Sequence, residues 1–250
     1  MRLTMEELPD IRQKGIDTFV GFTKAGLSLI PIAGPFISEI IGNIIPNQRF
    51  ERVAKYLETL KSKLDSVEDQ NIILQLTTDR NMLLLFENTI KHSSETNSEE
   101  KYDYYSEFII NALQDKTTEQ IQRERILKII SELNEIEIVL LIYFSLRPTI
   151  GMNNSFIESK KDLLFPHQRT MNEPVENGYS HDFKQQYIEN LERHKLLRSK
   201  VEIDRNTKMP LVDVFSGQLK RSSSDITILG DLVVRFIGGE KIRSLTTAST

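Results

Sequence analysis

Cysteine is absent from this 250-residue chain, and its absence excludes several kinds of site. Without thiols the protein has no disulfide, no thiolate zinc site and no cysteine nucleophile, which suits a reducing compartment. An excess of charge of one sign is also lacking, because 32 basic residues nearly balance 36 acidic ones. The formal net charge of -4 argues against a protein that coats nucleic acid along its whole length.

The first ten residues lack the pattern of a secretion signal, since they carry three acids after a single arginine. We therefore expect no cleaved signal and a location in the cytoplasm. The composition, with 39% hydrophobic and 27% charged residues, is typical of a folded protein. A chain of this length can form one large domain or two small ones.

Residues 25–48 contain a single charge and form the longest apolar stretch of the chain. Pro31 and Pro35 interrupt this stretch and Pro46 ends it, so each piece is too short to span a bilayer singly. The pattern predicts a helix over residues 11–30, a turn at 31–34 and a second helix over about 35–45, which together make an apolar helical hairpin.

The predicted hairpin carries small residues at a spacing of four or its multiple, which lets helix backbones approach closely in membranes and tight oligomers. The residues predicted to make this assembly or membrane contact are Gly26, Pro31, Gly34, Pro35, Ser38 and Gly42. An apolar hairpin must be buried in something. The protein's own core, a second copy in a homo-oligomer, and peripheral or re-entrant attachment to inner-membrane lipid all remain open.

Helical periodicity continues through the middle of the chain. An amphipathic helix over residues 48–66 carries Arg49, Arg52 and Lys55, which an anionic surface would attract, although a solvated helix face is the favoured interpretation. Further helices are predicted over residues 72–90 and after a loop at 92–98. Capping-box spacing predicts three helix starts, at Asn97 with Glu100, Thr117 with Gln120, and Asn134 with Glu137.

The C-terminal part has a different pattern. Residues 149–180 carry four proline or glycine breakers and are predicted to be a long loop or insertion. A helix over 182–199, a β-hairpin with strands near 201–203 and 211–214, and a helix ending at Gly238 follow. This order predicts a winged-helix-like module.

The expected fold is therefore mainly α. It consists of an apolar helical hairpin plus amphipathic helix over 1–66, a helical middle region over 67–133, and the winged-helix-like module with a small β-hairpin over 134–250. In such a module the helix before the hairpin can contact nucleic acid, and here Gln185, Arg193, Lys195 and Arg198 are the candidate contacts. Glu189 and Glu192 share that helix and would weaken phosphate binding, so nucleic acid is the less favoured partner.

Signals for catalysis are weak. No phosphate-binding loop is present, and His92, His167, His181 and His194 are scattered without the spacing or carboxylate partners of a zinc site. Paired glutamates stand at predicted helix starts, where they stabilise the helix dipole. We expect no enzyme, no catalytic residues, no cofactor and no metal.

Three segments, SELNEIEIVLLIYF, YIENLERHKLLRS and ITILGDLVVRFI, resemble the C-terminal part of the Abi-alpha-like family of bacterial proteins, over about residues 80–238. Where the second motif of that family has a glycine, this chain has His194-Lys195. The resemblance implies a role in abortive infection, a form of anti-phage defence, and carries no functional residues with it.

The expectation is a non-enzymatic defence effector that acts by self-assembly or at the inner membrane through its N-terminal hairpin. The alternatives are a winged-helix DNA-binding regulator and a soluble structural or adaptor protein. The sequence identifies no protein partner other than a second copy of the chain.

Overall fold

The computed structural model describes residues 49–69, 74–76, 78–147, 154–167, 174, 179–212, 217 and 219–241. The predicted apolar hairpin, with all six of its predicted contact residues, lies outside these ranges. The prediction of a mainly helical protein with a small β element is confirmed, because the described residues form helices and one two-stranded antiparallel sheet. The chain divides into two compact units, Met1–Ser131 and Glu132–Thr250.

The helices named in the first unit are α1 (Phe50–Leu64), α2 (Arg80–Ser94), α3 (Glu99–Gln114) and α4 (Gln120–Glu132). The last residue of α4, Glu132, is the first residue of the second unit. Helix α1 packs against both α2 and α3, which also pack against each other. Their buried faces supply the core, including Tyr56, Leu60, Leu85, Phe86, Ile90, Phe108 and Ile109. Tyr56 is fully buried, and its hydroxyl donates to Thr89 Oγ1 at 2.7 Å.

Two buried or half-buried lysines hold the first unit together. Lys101, only 5% exposed, donates from Nζ to the carbonyl oxygen of Ile130 at 2.5 Å, near the C-terminus of α4. Lys63 Nζ lies 2.7 Å from carboxylate oxygens of both Asp103 and Glu107. Burial opposes the charge of Lys63, but these two partners outweigh it and raise its pKa. The positive charges therefore join α1 to α3 and α3 to α4.

Three helix starts in the first unit differ from the sequence prediction. The continuous helix predicted over 72–90 is wrong, because Asp79 has extended backbone angles and accepts the amides of the next turn, so that α2 begins at Arg80. Helix α2 then continues to Ser94, into the predicted loop. The next cap is Ser98 rather than Asn97, and Thr117 donates to Asp115 instead of capping α4.

The described elements of the second unit are α5 (Glu135–Ser145), α6 (Ser155–Ser159), α7 (Lys161–Leu164), α8 (Tyr179–Arg193), β1 (Leu197–Val201), β2 (Arg221–Ile226) and α9 (Ile228–Phe236). Helix α5 lies at the centre and packs against α7, α8, α9 and β2. Its predicted capping box is confirmed, with Asn134 and Glu137 bonded to each other's backbone amides at 2.8 Å. Glu137, 4% exposed, also accepts from Asn190 on α8 at 2.7 Å.

The second unit corrects three further predictions. The segment 149–180 is not a plain loop, because α6, α7 and the start of α8 fall within it. Helix α8 ends at Arg193 rather than at residue 199. The sheet pairs β1 with β2 in antiparallel register, with Leu197 opposite Ile226, and not β1 with the second predicted strand. The predicted hairpin is found as a turn after Asp204, one bridge between Ile203 and Pro210, and hydrogen bonds from Leu211 to Glu202 and from Asp204 to Met209.

The end of α9 agrees with its prediction, since Gly238 has a φ of 79° just after the helix. Among the residues for which the structure gives positions, no helix combines the length and apolar character needed to cross a bilayer.

Candidate functional site

The chain from the last residue of β1 to the start of β2, residues 201–220, is called the arm. Its backbone closes a ring of three hydrogen bonds. The amide of Glu202 donates to the carbonyl of Lys220 at 2.8 Å, Lys220 donates to Leu211 at 2.8 Å, and Leu211 donates back to Glu202 at 2.9 Å. The ring fixes three separate segments relative to one another, although none of them is a regular strand.

Large apolar side chains are exposed along this arm. Outside the ring, Ile203 bridges Pro210 and Val212 bridges Leu219. Opposite residues of such a bridge lie on the same face, so each bridge makes an apolar pair. The exposed fractions are 36% for Val201, 58% for Ile203, 68% for Met209, 36% for Leu211, 53% for Val212 and 52% for Leu219. A contiguous exposed apolar patch commonly marks an interaction surface.

A charged turn closes the tip of the arm. Asp204 Oδ1 accepts the amides of Asn206 at 2.9 Å and Thr207 at 2.7 Å. The amide of Asp204 donates to the carbonyl of Met209 at 2.9 Å. The hydrogen bonds from Thr207 and Asn206 hold the pKa of Asp204 below its usual value. The turn is therefore an Asx turn with an ionised carboxylate at neutral pH.

The base of the arm is tied to α8 by one arginine. Arg221 begins β2, and its Nη2 lies 3.3 Å from Glu189 Oε1 and 3.1 Å from Glu192 Oε2. Across the sheet, the hydroxyl oxygens of Ser199 and Ser224 lie 2.6 Å apart. Arg221 therefore pairs with both Glu189 and Glu192, and its single positive charge offsets one of their two negative charges.

Helix α8 ends in a Schellman motif. The amide of Leu196 donates to the carbonyl of Leu191 and the amide of Lys195 to that of Glu192, both at 2.9 Å. Lys195 has a φ of 61°, in the left-handed region where glycine is the usual residue. The chain turns sharply there and enters β1, which explains why the helix stops before the predicted end.

Three of the four predicted nucleic-acid contacts come together at this turn. Arg193 ends α8, Lys195 occupies the turn and Arg198 lies in β1, and all three are exposed. These three residues are called the basic corner, and none of them pairs with an acid among the described residues. Gln185 is half-buried and precedes Arg193 by eight helical residues, which is about 12 Å. The structure therefore does not bring Gln185 to the basic corner.

The start of α9 packs on the backbone of the basic corner. Thr227 donates from its amide to the carbonyl of Leu196 at 2.9 Å and from its hydroxyl to the carbonyl of Lys195 at 2.7 Å. Gly230 lies so close that a Cβ there would overlap the carbonyl oxygen of Leu196. Between them Ile228, the first residue of α9, is 91% exposed. Sequence periodicity gives no signal for this exposure, because an isoleucine at a helix start is usually expected to be buried.

The predicted anionic-surface residues of the first unit are placed differently. Arg52 donates from Nη1 to the carbonyl of Ser94 at 3.1 Å, where it satisfies a backbone group at the end of α2. Arg49 is half-buried just before α1, and of the three only Lys55 is exposed. The contact with Ser94 gives Arg52 a structural role.

Histidines lie beside single carboxylates, contrary to the sequence analysis. Three are 3.7 Å from one acid each: His92 from Glu95, His181 from Asp182, and His194 from Glu132. The sequence analysis could not find the pair of His194 and Glu132, because these two residues are far apart in the chain. No group of three metal-ligating side chains occurs within the part of the chain that the structure describes.

A cavity of about 600 Å³ opens between α5 and β2. It is lined by Tyr143, Phe144, Arg147, Ser223, Ser224, Asp225 and Ile226. Its charged groups have partners, since Asp225 lies 3.1 Å from Lys200 and Arg147 lies 3.5 Å from Asp231. The lining thus offers paired charges and hydroxyl groups rather than an activated nucleophile or base.

Lys184 on α8 is a further basic group whose surroundings shift its pKa. Its ammonium donates to the carbonyl of Leu164 and lies 5.6 Å from the ring centroid of Phe165. Burial lowers the pKa of Lys184. Because the ammonium binds the last carbonyl of α7, its contacts fasten α7 to α8.

No family model, curated protein or solved structure matches this chain. The resemblance to the Abi-alpha-like family therefore stays a prediction from the three sequence segments.

Proposed function

We propose that this protein is a non-enzymatic effector that acts by self-assembly, with the arm as a contact between two copies of the chain. The observation that carries the proposal is the apolar surface of the arm, where Ile203, Met209, Val212 and Leu219 are each more than half exposed. Burial of such side chains against a partner is favourable, and the backbone ring presents them without a large cost in chain entropy.

The charges of the arm support a second copy as its partner. Residues 201–220 contain three acids, Glu202, Asp204 and Asp213, and three bases, Arg205, Lys208 and Lys220. The arm is therefore neutral, and two copies do not repel each other. In a two-fold contact the same patch meets itself, so the acid of one tip can face a base of the other.

The resemblance to the Abi-alpha-like family supports a role of this assembly in bacterial defence against phages. The apolar hairpin predicted over residues 11–45 supports the same class of function, because it offers a second apolar contact for assembly. Neither argument calls for a catalytic group.

Cysteine cross-linking tests the proposed contact. The chain has no cysteine, so a single introduced thiol reports its own contacts. Met209→Cys and Val212→Cys place the thiol on the arm, whereas Ile121→Cys places it at a 72% exposed position of α4 as a matched control. We expect mild oxidation to give covalent dimers from the arm variants only. Arm variants that remain monomeric like the control would refute the contact.

A plaque assay tests the defence role separately. We expect bacteria that express the wild type to yield fewer phage plaques than cells with an empty vector. The double variant Ile203→Gln/Leu219→Gln should lose this protection, and Ile121→Gln should keep it. Cross-linking without protection against any phage would refute the defence role and leave the assembly intact.

A further inference from the structure

We infer that the basic corner and Ile228 together form a docking surface for an anionic lipid bilayer. This goes beyond self-assembly through the arm, because it concerns the end of α8, the start of β1 and the start of α9. It is also separate from the predicted N-terminal hairpin, which lies outside the described residues.

The isoleucine and the three cations are held together by backbone contacts. Thr227, directly before Ile228, bonds to the carbonyls of Lys195 and Leu196 through three hydrogen bonds of 2.7 to 3.1 Å. Two residues after Ile228, the backbone of Gly230 lies against Leu196. The first turn of α9 is therefore fixed against the turn that carries Lys195, and Ile228 extends into solvent beside it.

The charge at this surface is positive on balance. Arg193, Lys195 and Arg198 are exposed and pair with no acid among the described residues. The acids around it are Glu189 and Glu192 beside Arg221, Asp225 beside Lys200 and opposite Arg198, and Glu132, which lies 3.7 Å from His194. Five bases, the three of the basic corner with Lys200 and Arg221, thus stand against these four acids, so the local charge is positive although the whole chain is slightly acidic.

Exposed cations around an exposed isoleucine favour a lipid surface over nucleic acid. Each Lys or Arg near an anionic bilayer strengthens binding about fivefold, so the three cations contribute about a hundredfold. Ile228, 91% exposed, can enter the boundary between headgroups and acyl chains. A phosphodiester backbone rewards the cations but not this isoleucine. The base-reading candidate Gln185 is half-buried and about 12 Å away along the helix.

Vesicle flotation of the full-length chain tests the inference, with phosphatidylcholine vesicles compared to vesicles that contain phosphatidylglycerol. We expect the wild type to prefer the anionic vesicles about a hundredfold, and high salt to remove the preference. Arg193→Gln/Lys195→Gln/Arg198→Gln should abolish the preference, and Ile228→Gln should weaken anionic binding about tenfold. Lys91→Gln/Lys116→Gln, which removes two exposed cations from the first unit, and Ile121→Gln are the controls.

Circular dichroism establishes that each variant folds as the wild type does. The measured quantity is the ratio of binding to anionic and to neutral vesicles. An apolar affinity of the predicted hairpin for lipid contributes equally to both and cancels from this ratio. A wild type without preference, or a triple variant that keeps it, would overturn the inference. The same variants are titrated with duplex DNA: if the triple variant loses DNA binding while its vesicle preference is unchanged, the basic corner is a nucleic-acid surface instead.

Discussion

Replacement of Lys195 by glycine should stabilise the protein relative to replacement by alanine. Lys195 adopts the left-handed conformation that ends α8, with a φ of 61°. Both replacements remove the same charge and leave the hydrogen bonds of the Schellman motif, which involve only backbone atoms. The difference between the two variants therefore isolates the cost of a Cβ atom at this backbone conformation.

The size of the effect follows from two opposing terms. A left-handed conformation costs an L-residue about 1–2 kcal/mol relative to the right-handed one, and glycine escapes this cost. Glycine loses about 0.5–1 kcal/mol more entropy on folding than alanine does. Lys195→Gly should thus be more stable than Lys195→Ala by about 1 kcal/mol. Gln186 is exposed within α8, and there the order should reverse by about the same amount.

Urea unfolding of the four variants, Gly and Ala at each position, measures both differences. With a slope of about 2 kcal/mol per molar, the midpoints of each pair should differ by about 0.5 M in opposite directions. If Lys195→Ala is as stable as Lys195→Gly while the Gln186 pair behaves as expected, residue 195 is not left-handed in solution. The Schellman motif, and with it the position of the basic corner, would then be wrong.

Two further predictions concern packing and pH. Gly230→Ala should destabilise the second unit by about 2–3 kcal/mol in thermal unfolding, because the new Cβ would overlap the carbonyl oxygen of Leu196. At the control position Gly217 no atom lies within 4 Å of a new Cβ, so Gly217→Ala should cost only about 1 kcal/mol of backbone strain. Equal losses of stability in the two variants would contradict the packing of Gly230 on Leu196. His92, stacked on Tyr105, has its pKa lowered by burial, so the unfolded state binds the proton first as the pH falls through about 6.5. The wild type should therefore lose more stability than His92→Phe between pH 7.5 and 5.5 in denaturant titrations, and parallel losses would refute this.

Local signals predicted those elements whose stabilising contacts are close in sequence. The capping box of Asn134 and Glu137 and the left-handed Gly238 both act within a few residues, and both are found in the structure. The sequence analysis missed the end of α8 because the left-handed position that ends the helix holds Lys195, whereas a glycine there would have predicted a helix end. The start of α2 was missed because Asp79 interrupts a series of apolar residues that otherwise keeps helical spacing.

Contacts between distant residues were beyond the sequence analysis. Leu197 pairs with Ile226 across the whole arm, and the sequence analysis predicted no strand at β2. The alternation around Val201 and Ile203 predicted a strand with one buried face, yet both side chains are exposed. Three of the predicted nucleic-acid contacts lie around one turn, and whether they bind nucleic acid stays a prediction. Arg221, which lies beside Glu189 and Glu192, is remote from α8 in sequence, so local patterns gave no signal for this contact.

The most direct test of the account is sedimentation equilibrium of the wild type, Ile203→Gln/Leu219→Gln and the control Ile121→Gln. Complete burial of an Ile or Leu contributes about 1.5–3 kcal/mol, so the exposed halves of Ile203 and Leu219 contribute about 1 kcal/mol each. The two residues together contribute about 2 kcal/mol per copy, and a two-fold contact contains both copies, so the double variant loses about 4 kcal/mol, or about a thousandfold in Kd. We predict a wild-type dimer that the double variant weakens by this factor and the control leaves unchanged. A wild type that stays monomeric, or a double variant that dimerises as the wild type does, would contradict self-assembly through the arm.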